Sequence, residues 1–145
     1  MRKGDLVQAI GEQVVDPATF RPSGHAPIFH IVLHEPEIAA NTGNIARTCA
    51  ATGCRLHLIE PLGFSTDDRY LKRAGLDYWQ YIDLEIHETF EQFLDRYPSA
   101  RSSILLLTTK ALRNYHQVAF RQGMFLLFGK ETQGLPAEIL ERFPE

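Results

Sequence analysis

The chain lacks most features that announce a special class of protein. Only two cysteines, Cys49 and Cys54, occur in 145 residues. That excludes a disulfide scaffold and suits a reducing, cytoplasmic setting. No apolar run approaches the ~20 residues of a membrane helix. The longest runs, at 104–107 and 124–128, have strand length. Residues 1–20 carry no apolar signal-peptide core, so none is expected. Repeats and low-complexity tracts are absent. Net charge is small: 15 basic against 18 acidic residues leave −3. Neither the dinucleotide fingerprint GxGxxG after a strand nor the P-loop GxxxxGK[ST] is present. The six histidines show no metal-site spacing, and no Ser-His-Asp arrangement stands out. What remains is an ordinary globular composition, 44% hydrophobic and 23% charged. One domain of this length buries roughly two thirds of its unfolded surface.

Charge is uneven along the chain. Between residues 96 and 130 there is no acid, while Arg96, Arg101, Lys110, Arg113, Arg121 and Lys130 are basic. Just before, Asp83, Glu85, Glu88, Glu91 and Asp95 occur without Lys or Arg. Such blocks can lay a positive patch on an acidic protein, or they can be solvated loops of either sign.

Strand and helix patterns alternate. Residues 1–27 have little periodicity and several prolines, and read as an extension. Strands are expected at 28–33, 55–59, 78–82, 104–108 and 124–128, with a short one at 117–120. Helices are expected from Asn41 or Thr42 as N-cap to Thr52, with Gly53 as the stop, then at 66–74, 88–97 and 136–143. Cys49 falls on the apolar side of the first helix. The alternation implies an α/β fold with a mostly parallel sheet flanked by helices. Ligands of such sheets bind beyond the carboxyl ends of the strands.

The polar, glycine-bearing sequence lies at those ends. Residues 35–47 follow the first strand, Thr108-Thr109-Lys110 the fourth, and residues 129–136 the last. Asn41-x-Gly43-Asn44-x-x-Arg47 sets Arg47 about one turn into a helix, near free backbone N–H groups that suit an anion. The alternative is a capping Asn with a surface Arg. Gly129-x-Glu131-x-x-Gly134 reads as a tight turn presenting a carboxylate and backbone amides. Arg69, Lys72 and Arg73 with Tyr70 suit a phosphate backbone, or form a solvated helix face.

At Asn41-x-Gly43-Asn44-x-x-Arg47 the sequence resembles the first motif of the SPOUT superfamily of knotted RNA methyltransferases, in its TrmH-like branch. Glu35-Pro36-Glu37-Ile38, residues 55–64, residues 73–78, residues 107–110 and Phe128-Gly129-x-Glu131-Thr132-x-Gly134-Leu135-Pro136 are similar to the single-domain TrmL (YibK-like) group. The resemblance spans residues 28–145 and leaves 1–27 as an extension of unknown role. It implies a deep trefoil knot, whose closing C-terminal segment and third motif are absent here. The domain therefore reads as an incomplete stretch of a longer protein. The implied activity is methylation of the ribose 2′-hydroxyl of a tRNA wobble nucleotide with S-adenosylmethionine and no metal. The alternative is a non-catalytic RNA-binding module that has lost the donor pocket. The resemblance assigns Arg47, Asn41 and Glu131 to catalysis, with Glu131 holding Arg47. Leu107, Thr108, Gly129, Glu131, Gly134 and Leu135 go to the donor, with Gly129 letting the ligand approach the backbone. Arg69, Lys72, Arg73 and Lys110 are assigned to the tRNA anticodon arm. A cytoplasmic homodimer without membrane contact is expected.

Overall fold

The run His30-Ile-Val-Leu-His34, rich in β-branched and apolar residues and bounded by Pro27 and Pro36, forms the central strand β1 (His30–His34). The computed structural model describes residues 26–66, 82–111 and 113–143. In chain order the other elements are α1 (Ala39–Thr52), β2 (Arg55–Ile59), β3 (Leu84–His87), α2 (Phe90–Arg96), α3 (Ala100–Ser103), β4 (Ile104–Leu107), a 3₁₀ turn (Tyr115–Gln117), β5 (Phe125–Phe128) and α4 (Ala137–Arg142). The five strands form one sheet in the order β3-β2-β1-β5-β4, and every pairing is parallel.

A parallel sheet needs both faces covered. On one face α1 packs Ala46 and Cys49 against Leu33, Leu56, Leu58 and Leu84. On the other, α2 and α4 pack Phe93, Leu94 and Ile139 against Val32, Ile59, Phe125 and Leu127. Each such side chain contributes about 1.5–3 kcal/mol on full burial. Burial pushes the Cys49 thiol up to about 12, which leaves it an inert core group.

The second face also holds a buried polar layer. His30 Nδ1 and His57 Nε2 lie 2.8 Å apart, and His57 Nδ1 and His87 Nε2 3.0 Å apart. Three imidazoles on three adjacent strands thus form one hydrogen-bonded chain. The Tyr97 ring packs edge-on against all three. Arg55, 1% exposed, pairs with Asp83 at 2.8 Å and donates to the Tyr97 hydroxyl at 2.7 Å. Glu85 is held by Arg96 and by the Tyr97 hydroxyl. Each acid thus faces a cation: Asp83 the buried Arg55, and Glu85 the exposed Arg96, which reaches in from the surface.

Several boundaries differ from the sequence reading for definable reasons. Helix α1 starts at Ala39 with Ile38 in the N-cap position, so Asn41 and Thr42 belong to its first turn rather than capping it. Gly53 ends it as expected, with φ 80°. Residues 78–81 lie outside the described residues, and Ile82 precedes a strand rather than ending one. The strand is Leu84–His87, hidden because Glu85 and His87 point polar groups into the buried layer. Strand β4 is half-buried because it edges the sheet. The expected strand at 117–120 is replaced by the 3₁₀ turn, where Asn114 and Gln117 form a capping box. The extension at 1–27 and the helix expected at 66–74 fall almost wholly on residues outside the described set.

Candidate active site

Register builds the site. Leu33 of β1 pairs with Phe128 of β5, and Phe128 pairs with Leu107 of β4. The three strands end level, so the loops that leave them emerge side by side at the carboxyl edge. This is the convergence expected from the sequence.

The loop after β5 is a tight turn. The Gly134 N–H donates to the Lys130 carbonyl at 2.9 Å, and Gly134 has φ 67°. A Cβ on Gly129 would lie 2.1 Å from the Gly134 carbonyl carbon. The space that glycine leaves is therefore filled by its own loop, not by room for a ligand. Glu131 accepts a hydrogen bond from the Glu37 N–H at 2.7 Å. Glu37 in turn accepts from the Thr132 hydroxyl at 2.6 Å and from the Thr132 N–H at 3.4 Å. Lys130 pairs with Glu35 at 3.1 Å. The loops after β1 and β5 are thus tied at three points.

Helix α1 leaves this junction. It has no side-chain N-cap bond and no acid in its first turn. Asn41, Asn44 and Arg47 are exposed along it, while Thr42 and Gly43 are buried. The Thr42 hydroxyl has no hydrogen-bond partner. Asn41 and Asn44 share a cavity of about 780 Å³ with Phe128, Gly129 and Glu131. Leu107 and Thr108 line a different cavity of about 270 Å³, beside the loop after β4. Lys110 stands with Arg101, Arg113 and Arg142 around a basic hollow of about 640 Å³. Arg69, Lys72 and Arg73 lie outside the described residues.

Sequence reasoning missed Glu35, Glu37, Lys130 and Thr132 as partners, because nothing in spacing pairs residues about ninety-five apart. It also missed His34, 7% exposed at the end of β1, whose Nδ1 has no partner. Burial lowers its pKa, opposed by the Glu35 carboxylate, while Lys130 lowers it further. His57, Glu85 and His87 bring ligand-type atoms within 4.8 Å of one another, a grouping that spacing did not reveal. In the structure those atoms serve the histidine chain, Arg96 and Tyr97. No helix among the described residues is long and apolar enough to cross a membrane.

Comparison with known proteins identifies the setting of these loops. A protein from Saccharophagus degradans named tRNA (cytidine(34)-2'-O)-methyltransferase is 52% identical over 114 residues, 79% of this chain and 73% of that protein. A solved structure described as "Structural insights into the 2-OH methylation of C/U34 on tRNA" superposes with TM-score 0.73 at 46% identity, covering 80% of this chain and 76% of that one. The AviRb methyltransferase of Streptomyces viridochromogenes, solved with AdoMet, shares the fold with TM-score 0.69 at 18% identity, covering 93% of this chain and 57% of that one. Residues 28–145 match the family model described as SpoU rRNA Methylase, and the chain belongs to that family.

Proposed function

We propose that this protein transfers a methyl group from S-adenosylmethionine to the ribose 2′-hydroxyl of a tRNA nucleotide, the anticodon wobble position. The observation that carries the reading is the level ending of β1, β5 and β4, which sets three motif loops side by side. The relatives' names supply the reaction and the position on tRNA.

S-adenosylmethionine supplies an electrophilic methyl group. The chain's own residues have to hold, orient and polarise. Backbone groups of Leu107, Thr108, Gly129, Gly134 and Leu135 hold the donor at the strand ends. The turn at 130–134 is closed by internal hydrogen bonds, so the backbone it offers the donor is pre-organised. Arg47 grips a phosphate beside the target ribose and orients its hydroxyl. An Arg of pKa above ~12 is a poor base, so the proton leaves to phosphate or water. Asn41 and Asn44 share their cavity with Gly129 and Glu131 and shape its RNA side. Positioning of this kind supplies a large part of a transfer barrier's reduction. Lys110 and the basic hollow around it receive backbone phosphates of the anticodon arm. The same cavity runs along α1 past Ile28, Ile31 and Ile45, and this apolar stretch supports a homodimer whose partner borders the site. A tRNA substrate supports a cytoplasmic location.

The test is the full-length protein with labelled donor and unmodified tRNA, followed by mapping of the methylated ribose. Calorimetry should show donor binding in the micromolar range, roughly −7 to −8 kcal/mol. Absence of both methyl transfer and binding heat refutes the proposal.

A further inference from the structure

We propose that Glu37 is a positioning residue that couples the donor loop to the start of α1, so that the donor site and the Arg47 helix hold one relative geometry. The inference rests on the function proposed above.

The two carboxylates are used reciprocally. Glu131, in the loop after β5, accepts from the backbone N–H of Glu37, in the loop after β1. Glu37 accepts from both the hydroxyl and the N–H of Thr132. Each loop's backbone is therefore held by the other loop's acid. Charge-assisted bonds of this kind are shorter and stronger than neutral ones.

Glu37 is fixed from a third side. The Gly63 N–H donates to the Pro36 carbonyl at 2.9 Å, and a Cβ on Gly63 would sit 2.6 Å from the Glu37 carbonyl oxygen. Its neighbour Glu35 has φ 52°, a left-handed conformation that a non-glycine residue adopts only when its surroundings impose it. The imposing contacts are the Glu35 N–H on the Ile59 carbonyl at 2.9 Å and the Lys130 pair. The segment between β1 and α1 is thus over-determined by the loops after β2 and β5.

What it controls is close by. Ile38 follows Glu37, occupies the N-cap position of α1 and accepts from the Thr42 N–H at 3.2 Å. A shift of the turn at 130–134 pulls on Glu37 and is passed to the helix turn that carries Asn41, and onward to Asn44 and Arg47. Glu131 and Thr132 are exposed and Glu37 is half-buried, so the latch governs geometry more than folding.

The experiment compares full-length wild type, Glu37→Ala, Thr132→Ala, the double variant and Glu37→Gln, reading kcat, KM for donor, KM for tRNA, and Tm. Glu37→Ala should lower kcat by about 10-fold or more, the scale of a small misplacement of reacting groups, and raise the donor KM several-fold. KM for tRNA should stay within about twofold of wild type. The double variant should be no worse than Glu37→Ala, because both changes cut one latch. Glu37→Gln should recover part of the loss, since its amide oxygen still accepts from Thr132. A wild type that transfers no methyl group refutes the function and the latch with it. An active wild type with Glu37→Ala matching its kcat and donor KM, or with losses that multiply in the double variant, overturns the latch alone.

Discussion

Acidification from pH 7 to pH 5 should weaken the folded protein by about 4 kcal/mol through His30 and His87 alone. Burial lowers both imidazoles to about 4, against 6.5 for a free histidine, with Arg96 and Arg55 adding to the effect at His87. A folded pKa below the unfolded one means that the unfolded chain binds the proton first. Stability is then complete above pH 6.5 and is lost as the pH falls from 6.5 toward 4. Each histidine contributes about 1.36 kcal/mol per pH unit over that window, or about 2 kcal/mol between pH 6.5 and 5. His57 is lowered further by burial, by its neighbours His30 and His87, and by Arg55 and Arg96, so it adds in the same direction. Asp83 and Glu85 are the anions on the same face, and each already has a cationic partner. The assay is urea unfolding of the full-length protein at pH 7, 6 and 5, read as midpoint shifts at constant m. His87→Asn provides the control. It leaves His57 Nδ1 without its ring partner, which costs about 1–3 kcal/mol at pH 7, yet removes one titrating group, so the variant should lose less between pH 7 and 5 than wild type does. A wild-type change below about 1 kcal/mol over that interval, or an unchanged slope in the variant, refutes the reasoning.

Gly129→Ala should abolish donor binding, because a Cβ there would meet the Gly134 and Leu135 backbone at 2.1–2.3 Å; calorimetry with S-adenosylmethionine reads it, and retained micromolar binding would clear Gly129 of that role. Arg47→Ala should lower methyl transfer by roughly 10²-fold with the circular dichroism spectrum intact, on the scale of a lost charge-assisted contact of about 1.5–3 kcal/mol. Arg47→Lys should recover little of it because the fork geometry is gone; near-normal turnover in the Ala variant would take Arg47 out of the site. Replacing Lys72 and Arg73 together by Ala should flatten the slope of log tRNA affinity against log salt by about one unit, since each single-strand phosphate contact adds about 0.7. A slope equal to wild type across the salt series would make them solvated surface bases.

Much of the fold was legible because burial imposes pattern. The bounds of β2 came out residue for residue, since Arg55-Leu-His-Leu-Ile59 alternates on a two-sided sheet. Cys49, read as lying on the apolar side of the first helix, is buried on the inner side of α1, with Ala46 beside it. The failures at β3 and in the buried polar layer share one cause: a polar residue was read as a surface residue. Asp83 and Glu85 look like solvated acids, yet they are 6% and 9% exposed and paired with Arg55 and Arg96. His30, His57 and His87 are scattered along the chain, and only the strand order β3-β2-β1 aligns their rings. The site divides the same way. Asn41, Asn44, Gly129 and Glu131 are visible as motif residues, because loops at strand ends carry little apolar pattern to mask them. The contacts that hold the loops in place are invisible, because Glu37 and Thr132 meet only after the chain has crossed from β3 at one edge to β4 at the other and β5 lies beside β1. Composition announces neither kind of contact. Charges buried in balanced pairs leave the net charge unaltered, and two carboxylates that accept from backbone N–H groups count the same in a sum as two that face water.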